Sequence, residues 1–369
     1  MSEQKADELR QHSARPGDLI ITQRGTLGQV GLIPQNSRWP RYIVSQSQMK
    51  LTVDRERADN LFLYYVLRSP MVAKRIEDLA LRSGVPHINL AILRAFEVDL
   101  PSLENQHRIA SILGAYDDLI EVNRRRIALL EEMAGRLFEE WFVRFRFPEH
   151  EGRVTEGELP QGWMRVPIEQ VYQGLYDGPH ATPKPSEDGP VFLGIGNITE
   201  SGQLDLSSIR HIAEAEFQIW TRRVTPEAGD IVFTYEATLN RYAMIPRNFR
   251  GCLGRRLALI RMPPSSVYRN FLFLYFFSAD WRQTITRNKL SGATVDRIPL
   301  SKLPAFPINL PPEAVAAKFD RIVQPTFDLA ESVRKGNLIL RAQRDLLLPR
   351  LISGEMSVPA AELELQAVA

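Results

Sequence analysis

Apolar residues along this chain switch between two periods. Short runs rich in β-branched and aromatic residues, LIIT from Leu19 and IVFT from Ile231, each follow a Gly-Asp pair. Each run leads through a polar loop to a second short run that ends at proline, the pattern of a β-hairpin. Elsewhere the spacing becomes helical. From Leu103 to about Phe145 there is no Pro and only two Gly, and an alternating 4,3 spacing picks out Leu113, Tyr116, Ile120, Asn123, Ile127, Leu130, Ala134, Leu137 and Trp141. That seam predicts one helix roughly 60 Å long. A less regular stripe from Glu313 to about Leu351 carries Phe319, Ile322, Val323, Leu329, Val333, Leu340 and Leu347, and Pro325 and Pro349 are expected to break it. Two long amphipathic helices in one chain most simply pack on each other. Asn123, polar at a seam position, is expected to fix their register, because burying it out of alignment is costly.

The hairpin recurs at a period near 211 residues, which marks a duplicated domain rather than a solenoid. PGDLIITQRGTLGQVGLIP (Pro16 to Pro34) and AGDIVFTYEATLNRYAMIP (Ala228 to Pro246) agree at seven of 19 positions, among them Gly17/Gly229, Asp18/Asp230 and Pro34/Pro246. Further on, LAILRAFEVDLP from Leu90 answers LSKLPAFPINLP from Leu300 at an offset of 210. The fold class expected is α+β: two globular mixed α/β domains in pseudo-repeat, separated by two long, antiparallel, coiled-coil-like helices. The boundaries fall at 1–101 for a partial first domain, 102–147 for the first long helix and 148–158 for a linker rich in Glu and Gly. The second domain takes 159–312, the second long helix 313–356 and a C-terminal tail 357–369. Residues 159–215 have no counterpart upstream, so the first copy is expected to start mid-domain, about 55 residues short.

Net charge is only +2, from 46 Lys+Arg against 44 Asp+Glu, but it is unevenly placed. Residues 24–94 carry +6 and residues 235–297 carry +8, which leaves −12 for the remainder. Of the 46 basic residues 38 are Arg, a bias toward planar, bidentate recognition of phosphates, bases or carboxylates. Two basic blocks in an acidic frame suit a polyanion with two contact regions. The alternative is a pair of ordinary Arg-rich surfaces whose carboxylate partners lie elsewhere in the fold. The longest apolar runs, such as Phe271 to Phe277, fall far short of a membrane span. A single cysteine, Cys252, permits no internal disulfide, which together with a polar N-terminus leads to the expectation of a cytoplasmic location.

Enzymatic signatures are missing where they can be looked for. Gly194-Ile195-Gly196 lacks the third glycine of a dinucleotide fingerprint, and there is no GxxxxGK[ST] loop, methyltransferase motif, nuclease carboxylate cluster or metal-ligand spacing. His87 and His180 sit in loops without an evident nucleophile. The expectation is a non-catalytic chain with no metal and no cofactor of its own.

The ordered set PGDLIITQRGTLG (Pro16 to Gly28), SQSQMKL (Ser45 to Leu51), SGVPHINLAILRAFEVDLPSLENQHRIASIL (Ser83 to Leu113) and LPQGW (Leu159 to Trp163), with AGDIVF from Ala228 and SGATVDRIPLSKLPAFPINLPP from Ser291, resembles the specificity subunit of type I restriction-modification enzymes. The resemblance covers nearly the whole chain. It implies two target-recognition domains, each reading half of a split site on double-stranded DNA. It also implies long helices that form a spacer and bind methyltransferase (modification) subunits, with the motor/restriction subunit joining through the complex and no membrane partner. Methyl donor, ATP and Mg would then belong to those other subunits. A departure is that Glu104-Asn105-Gln106 after the first closing proline has no Glu-Gln equivalent in the second, where Glu313-Ala314-Val315-Ala316 stands.

Base reading needs side-chain amides and guanidinium groups on loops beside a basic surface. Gln23, Arg24, Thr26 and Gln29 at the first hairpin tip, with Gln46 and Gln48, offer them, as do Tyr235, Glu236, Asn240 and Arg241 at the second tip. Arg38, Arg41, Lys74, Arg75 and Arg82, and in the second copy Arg247, Arg250, Arg255, Arg256, Arg287 and Lys289, are the candidates for phosphates. The competing readings are a coiled-coil scaffold for protein partners, without sequence-specific DNA binding of its own, and a nuclease of another type.

Overall fold

The computed structural model describes residues 7–80, 87–149, 157–292 and 295–368. The chain is α+β and divides into two compact units, one made of Met1–Ile127 with Val333–Ala369, the other of Ala128–Ser332. Both boundaries fall inside long helices. The helices are therefore not domains of their own, as 102–147 and 313–356 had implied; each end of each helix packs into a globular unit.

In the first unit β1 (Leu19–Thr22) is the central strand, flanked by the antiparallel strands β2 (Val30–Leu32) and β3 (Gln48–Leu51). Helices α1 (Asn60–Arg68), α2 (Pro70–Asp78) and α3 (Leu90–Arg94) follow, before the long α4 (Leu103–Phe138). Asp59 caps α1 by accepting from Phe62 N, Ser69 caps α2 and Asn89 caps α3. Leu19, Ile21, Phe62, Ile76, Leu113 and Tyr116 form the heart of the core.

In the second unit the sheet gains a strand. β4 (Gly174–Asp177) lies on the outer edge of β9 (Leu257–Arg261), which pairs with the central β6 (Ile231–Thr234), and β6 pairs with β7 (Tyr242–Met244). A second sheet holds β5 (Ser186–Leu193) parallel to β8 (Gly251–Leu253). Helices α5 (Arg269–Tyr275) and α6 (Ala279–Asn288) precede the long α7 (Glu313–Ile352).

The duplication holds down to individual bonds. Leu19 faces Leu32 and Ile21 faces Val30, while Ile231 faces Met244 and Phe233 faces Tyr242, the same register 212 residues on. Gly17 N donates to Ile33 O at 2.8 Å, and Gly229 N to Ile245 O at 2.9 Å. These two glycines hold φ of +90° and +87°, a turn that an L side chain would strain. Asp18 and Asp230 each accept from the backbone N–H three residues upstream, at 2.8 Å.

The second helix is not broken. Pro325 costs it an N–H and, in a helix interior, about 3 kcal/mol of propensity, yet α7 runs through it because Phe319, Val323 and Ala330 around it are fully buried. Its seam is regular after all, through Ala316, Phe319, Val323, Ala330, Asn337, Leu340, Leu347 and Leu351, all buried. Ile322 and Leu329, placed on the stripe by sequence, lie off it at 52% and 39% exposure. Polar members hid the true register: Asn337 and Arg344 occupy seam positions.

In the first unit Asn123 Nδ2 donates to Asn337 Oδ1 at 2.9 Å, and Asn337 Nδ2 reaches Ile120 O at 3.3 Å. Arg344 pairs with Asp117, whose other oxygen accepts from Tyr65 Oη at 2.7 Å, tying α1, α4 and α7 together. Early α4 residues meet late α7 residues, so the pair is antiparallel. Leu113, Tyr116, Ile120 and Ile127 are buried, and Val333 is half-buried.

In the second unit Leu130 and Leu137 are half-buried and α4 ends in a wider turn, where Arg144 N bonds to Glu139 O five residues back. That turn buries the consecutive Trp141 and Phe142, whose rings meet Phe319 at centroid distances of 5.8 and 4.7 Å. Of the expected linker 148–158, residues 150–156 lie outside the described residues. The expected tail is a helix, α8 (Val358–Val368), with Ala361 fully buried and Glu362 gripped by Arg108 at 3.0 Å.

Candidate nucleic-acid interface

Each hairpin tip is anchored in the same way. Ile88 N donates to Gln23 O at 3.0 Å and Ile298 N to Tyr235 O at 2.7 Å, so a later loop clamps the tip's first residue in both copies. Isolated bridges then join Arg24 with His87, and Glu236 with Arg297. The polar loop is thus held on a framework of strands, which is what positioning reading groups requires.

The two tips differ in how open they are. In the first, Arg24, Thr26, Gln29, Gln46 and Gln48 are exposed and Gln23 is half-buried. In the second, Glu236, Asn240 and Arg241 are half-buried, and Glu236 and Arg241 are engaged. Glu236 accepts from Arg256 Nε at 3.1 Å, and Arg241 donates to Glu200 at 2.9 Å and to the Ile198 carbonyl. Asn240 holds a φ of +60°. Tyr235, the clamped first residue of the second tip, does not offer its side chain to the surface. It continues the alternation Ile231, Phe233, Tyr235 into the core and is 5% exposed, and burial pushes its hydroxyl pKa up. A two-residue period, read past the end of the strand, would have assigned it inward.

The phosphate candidates divide similarly. Arg38 lies over the Trp39 ring at 4.9 Å and Arg75 over the Phe96 ring at 4.7 Å; both are exposed, as is Lys74. Arg41 binds Asp7 at 2.8 Å, and Arg82 lies outside the described residues. In the second unit Arg255 and Arg287 are exposed. Arg247 binds Asp328 at 3.0 Å, Arg256 binds Glu236, and Lys289 binds Asp296 at 2.5 Å. Arg250 chelates Glu214, whose carboxyl it holds below the usual range, and lies over Phe217. The +8 counted over residues 235–297 is therefore largely matched by carboxylates, several of which lie outside that segment.

Other groups resolve into packing. Gln106 is 1% exposed; its Oε1 accepts from Asp59 N at 2.9 Å and its amide donates to Pro101 O at 2.9 Å, so it locks α4 to its own unit. At the equivalent position Ala316 is fully buried, and the polar lock sits one turn further on, where Asn270 Nδ2 bonds to Asp320 at 2.8 Å and Gln324 at 2.9 Å. The missing Glu-Gln pair is thus a relocated internal contact. Cys252 is fully buried and its thiol is pushed up to about 12, far from a reactive thiolate. His180 bonds to Asp177 at 3.0 Å on the surface. Among the described residues no cluster of three His, Cys, Asp or Glu could hold a metal, and no helix is long and apolar enough to cross a membrane.

Two register-matched hairpins with unlike tips make a duplicated scaffold that carries two different polar loops. Comparison with known proteins places that scaffold among others. Residues 10–132 match the type I restriction modification DNA specificity domain. The MjaIX specificity subunit of Methanocaldococcus jannaschii is 24% identical over 351 residues, spanning 93% of this chain and 78% of that protein. The HindI specificity subunit of Haemophilus influenzae is 31% identical over 106 residues, 28% of this chain and 23% of its own length. A solved S subunit from M. genitalium covers 92% of this chain and 83% of its own at 17% identity, with a TM-score of 0.49. The chain is thus similar along most of its length to specificity subunits of type I restriction-modification enzymes, and residues 10–132 carry the family's DNA specificity domain.

Proposed function

We propose that this chain is the non-catalytic reader of a type I restriction-modification complex, each unit recognising one half of a split site on double-stranded DNA. The observation that carries this is the pair of hairpins with identical register and clamps but different tip residues, QRGTLGQ against YEATLNR. One scaffold with two sets of donors and acceptors is what two unlike half-sites call for. Arg24, Gln23, Thr26, Gln29, Gln46 and Gln48 read one half; Asn240 reads the other together with Glu236 and Arg241, these two once freed from or acting through their internal partners. Arg38, Lys74, Arg75, Arg255 and Arg287 contact phosphates.

Helices α4 and α7 run from one unit into the other and set the spacing between half-sites. They also offer exposed apolar side chains off the seam: Ile339 and Leu346, seven residues apart on α7, at 60% and 65% exposure, and Leu129 and Met133 on α4 at 59% and 62%. Such surfaces suit the docking of methyltransferase subunits. Those subunits bring the methyl donor, and ATP and Mg act on the motor subunit. This chain positions them on DNA.

The test is binding of the chain, co-purified with its methyltransferase partners, to randomised duplex DNA at two salt concentrations. A bipartite consensus with affinity falling as salt rises supports the reading. Binding of protein partners without sequence preference on DNA would replace it with the scaffold reading.

A further inference from the structure

The two sheets differ on the face turned away from the main core. In β6 every residue is buried, whereas β1 alternates, Leu19 and Ile21 buried, Ile20 and Thr22 half-exposed. In the second unit Val232, Ala243, Ile245, Leu257 and Leu259 are covered by Leu193, Ile198, Val224 and Leu253. The shared register equates Ile20 with Val232, Gly31 with Ala243, Gln48 with Leu257 and Lys50 with Leu259. On the first unit that face is a groove of about 770 Å³, lined by Ile20, Thr22, Gln29, Gln48, Tyr64 and Arg68 among others.

Two kinds of occupant suit an uncovered sheet face, an apolar polypeptide like the one covering its twin, or a polar ligand. Residue identity decides between them. The positions that would lie beneath an apolar cover have become Gln48, whose oxygen accepts from Ser45 Oγ at 3.2 Å, and Lys50, which donates to Ser13 O at 3.0 Å, and an apolar cover would take this amide and ammonium out of water at a cost. Among the described residues no Asp or Glu lines the groove, and Arg68 stands on its rim. The Arg68 guanidinium lies over the Tyr64 ring, 5.0 Å from its centroid, and donates to the Tyr64 hydroxyl, which fixes its direction. Gln29 and Gln48 join this groove to the hairpin tip.

We propose that this groove is a second DNA-contacting surface, absent from the other unit, in which Arg68 meets a backbone phosphate, Tyr64 positions it, and Gln29 and Gln48 extend the reading surface inward from the tip. The proposal rests on the DNA-reading function above and assigns unequal footprints to the two units.

The experiment measures binding of cognate duplex DNA by the complex with its methyltransferase partners across a salt series. Arg68→Ala is expected to weaken binding about 10-fold and to lower the slope of log K against log salt by about 1. Tyr64→Phe, which keeps the ring and removes the hydroxyl, is expected to weaken binding less and to leave the slope unchanged. Arg68 is exposed, and an unchanged melting profile verifies folding. If Arg68→Ala binds like wild type while Arg24→Ala is impaired, the groove proposal falls and DNA reading stands. If wild type shows no sequence-dependent DNA binding, both fall. If Gln48→Leu with Lys50→Leu gains self-association while DNA affinity is unchanged, the groove belongs to a protein cover and the proposal is overturned.

Discussion

The buried asparagine pair makes a quantitative prediction. Asn123→Ala removes the 2.9 Å bond to Asn337, a residue only 5% exposed, and leaves its acceptor oxygen without its partner. Stranding a buried polar group costs about 1–3 kcal/mol. For a unit of this size about 2–4 °C of melting temperature accompanies each kcal/mol, so the first unit's transition should fall by roughly 2–12 °C. The double variant Asn123→Leu with Asn337→Leu behaves differently, because no orphan remains and apolar surface is gained. It should melt at or above wild type, so that the two substitutions couple by at least about 1 kcal/mol in a double-mutant cycle. Scanning calorimetry reads both transitions, and hydrogen exchange across residues 116–127 assigns the change to the first unit. Two single variants each within about 0.5 kcal/mol of wild type, with no coupling, would refute a seam held in register by this pair.

Burial raises the Asp320 pKa in the folded state, partly offset by the Asn270 hydrogen bond. A carboxyl whose folded pKa exceeds its unfolded value, about 3.9, binds its proton more tightly when folded, so its contribution to stability declines as pH rises through the folded pKa. Asp320→Asn should therefore melt higher than wild type at neutral pH, and the difference should vanish in acid; equal pH profiles would contradict the assignment. Ile339→Ser with Leu346→Ser is expected to reduce co-purification of methyltransferase subunits at least 10-fold with the melting profile intact, measured by pull-down; undiminished capture places docking elsewhere. Removing one heptad from α4 together with the facing heptad of α7 shortens the pair by about 10 Å, or about three base pairs at 3.4 Å each. Methylation mapping should show both half-site sequences retained at that shorter spacing, and altered sequences at unchanged spacing would contradict the spacer role.

Much of this was legible from residue pattern because the signals were local. The Gly-Asp turns, the alternating strands and the closing prolines repeat at a fixed offset, and the structure repeats them bond for bond. Asn123 stood out as a lone polar residue on an apolar seam, and its partner does lie opposite. The α7 register was harder to read, since Asn337 and Arg344 are seam members while Ile322 and Leu329 are not, and hydrophobicity alone sorts all four the wrong way. Helix propensity alone predicts a break at Pro325, because it ignores the burial of Phe319 and Val323. At the second tip the error was one of long-range packing. Glu200 and Ile198, some 40 residues upstream, occupy Arg241, and no local pattern reports that. Charge was misleading for the same reason, as Arg247 and Arg250 find Asp328 and Glu214 outside their own segment.

The central claim, that two unlike hairpin tips read two parts of one DNA target, is met most directly by mapping methylation with the assembled complex carrying Arg24→Ala and Thr26→Ala in the exposed first tip. The account predicts that the base preference relaxes in one half-site while the other half-site and the spacing between them stay as in wild type. Relaxation of both halves together, or an unchanged consensus, would contradict it.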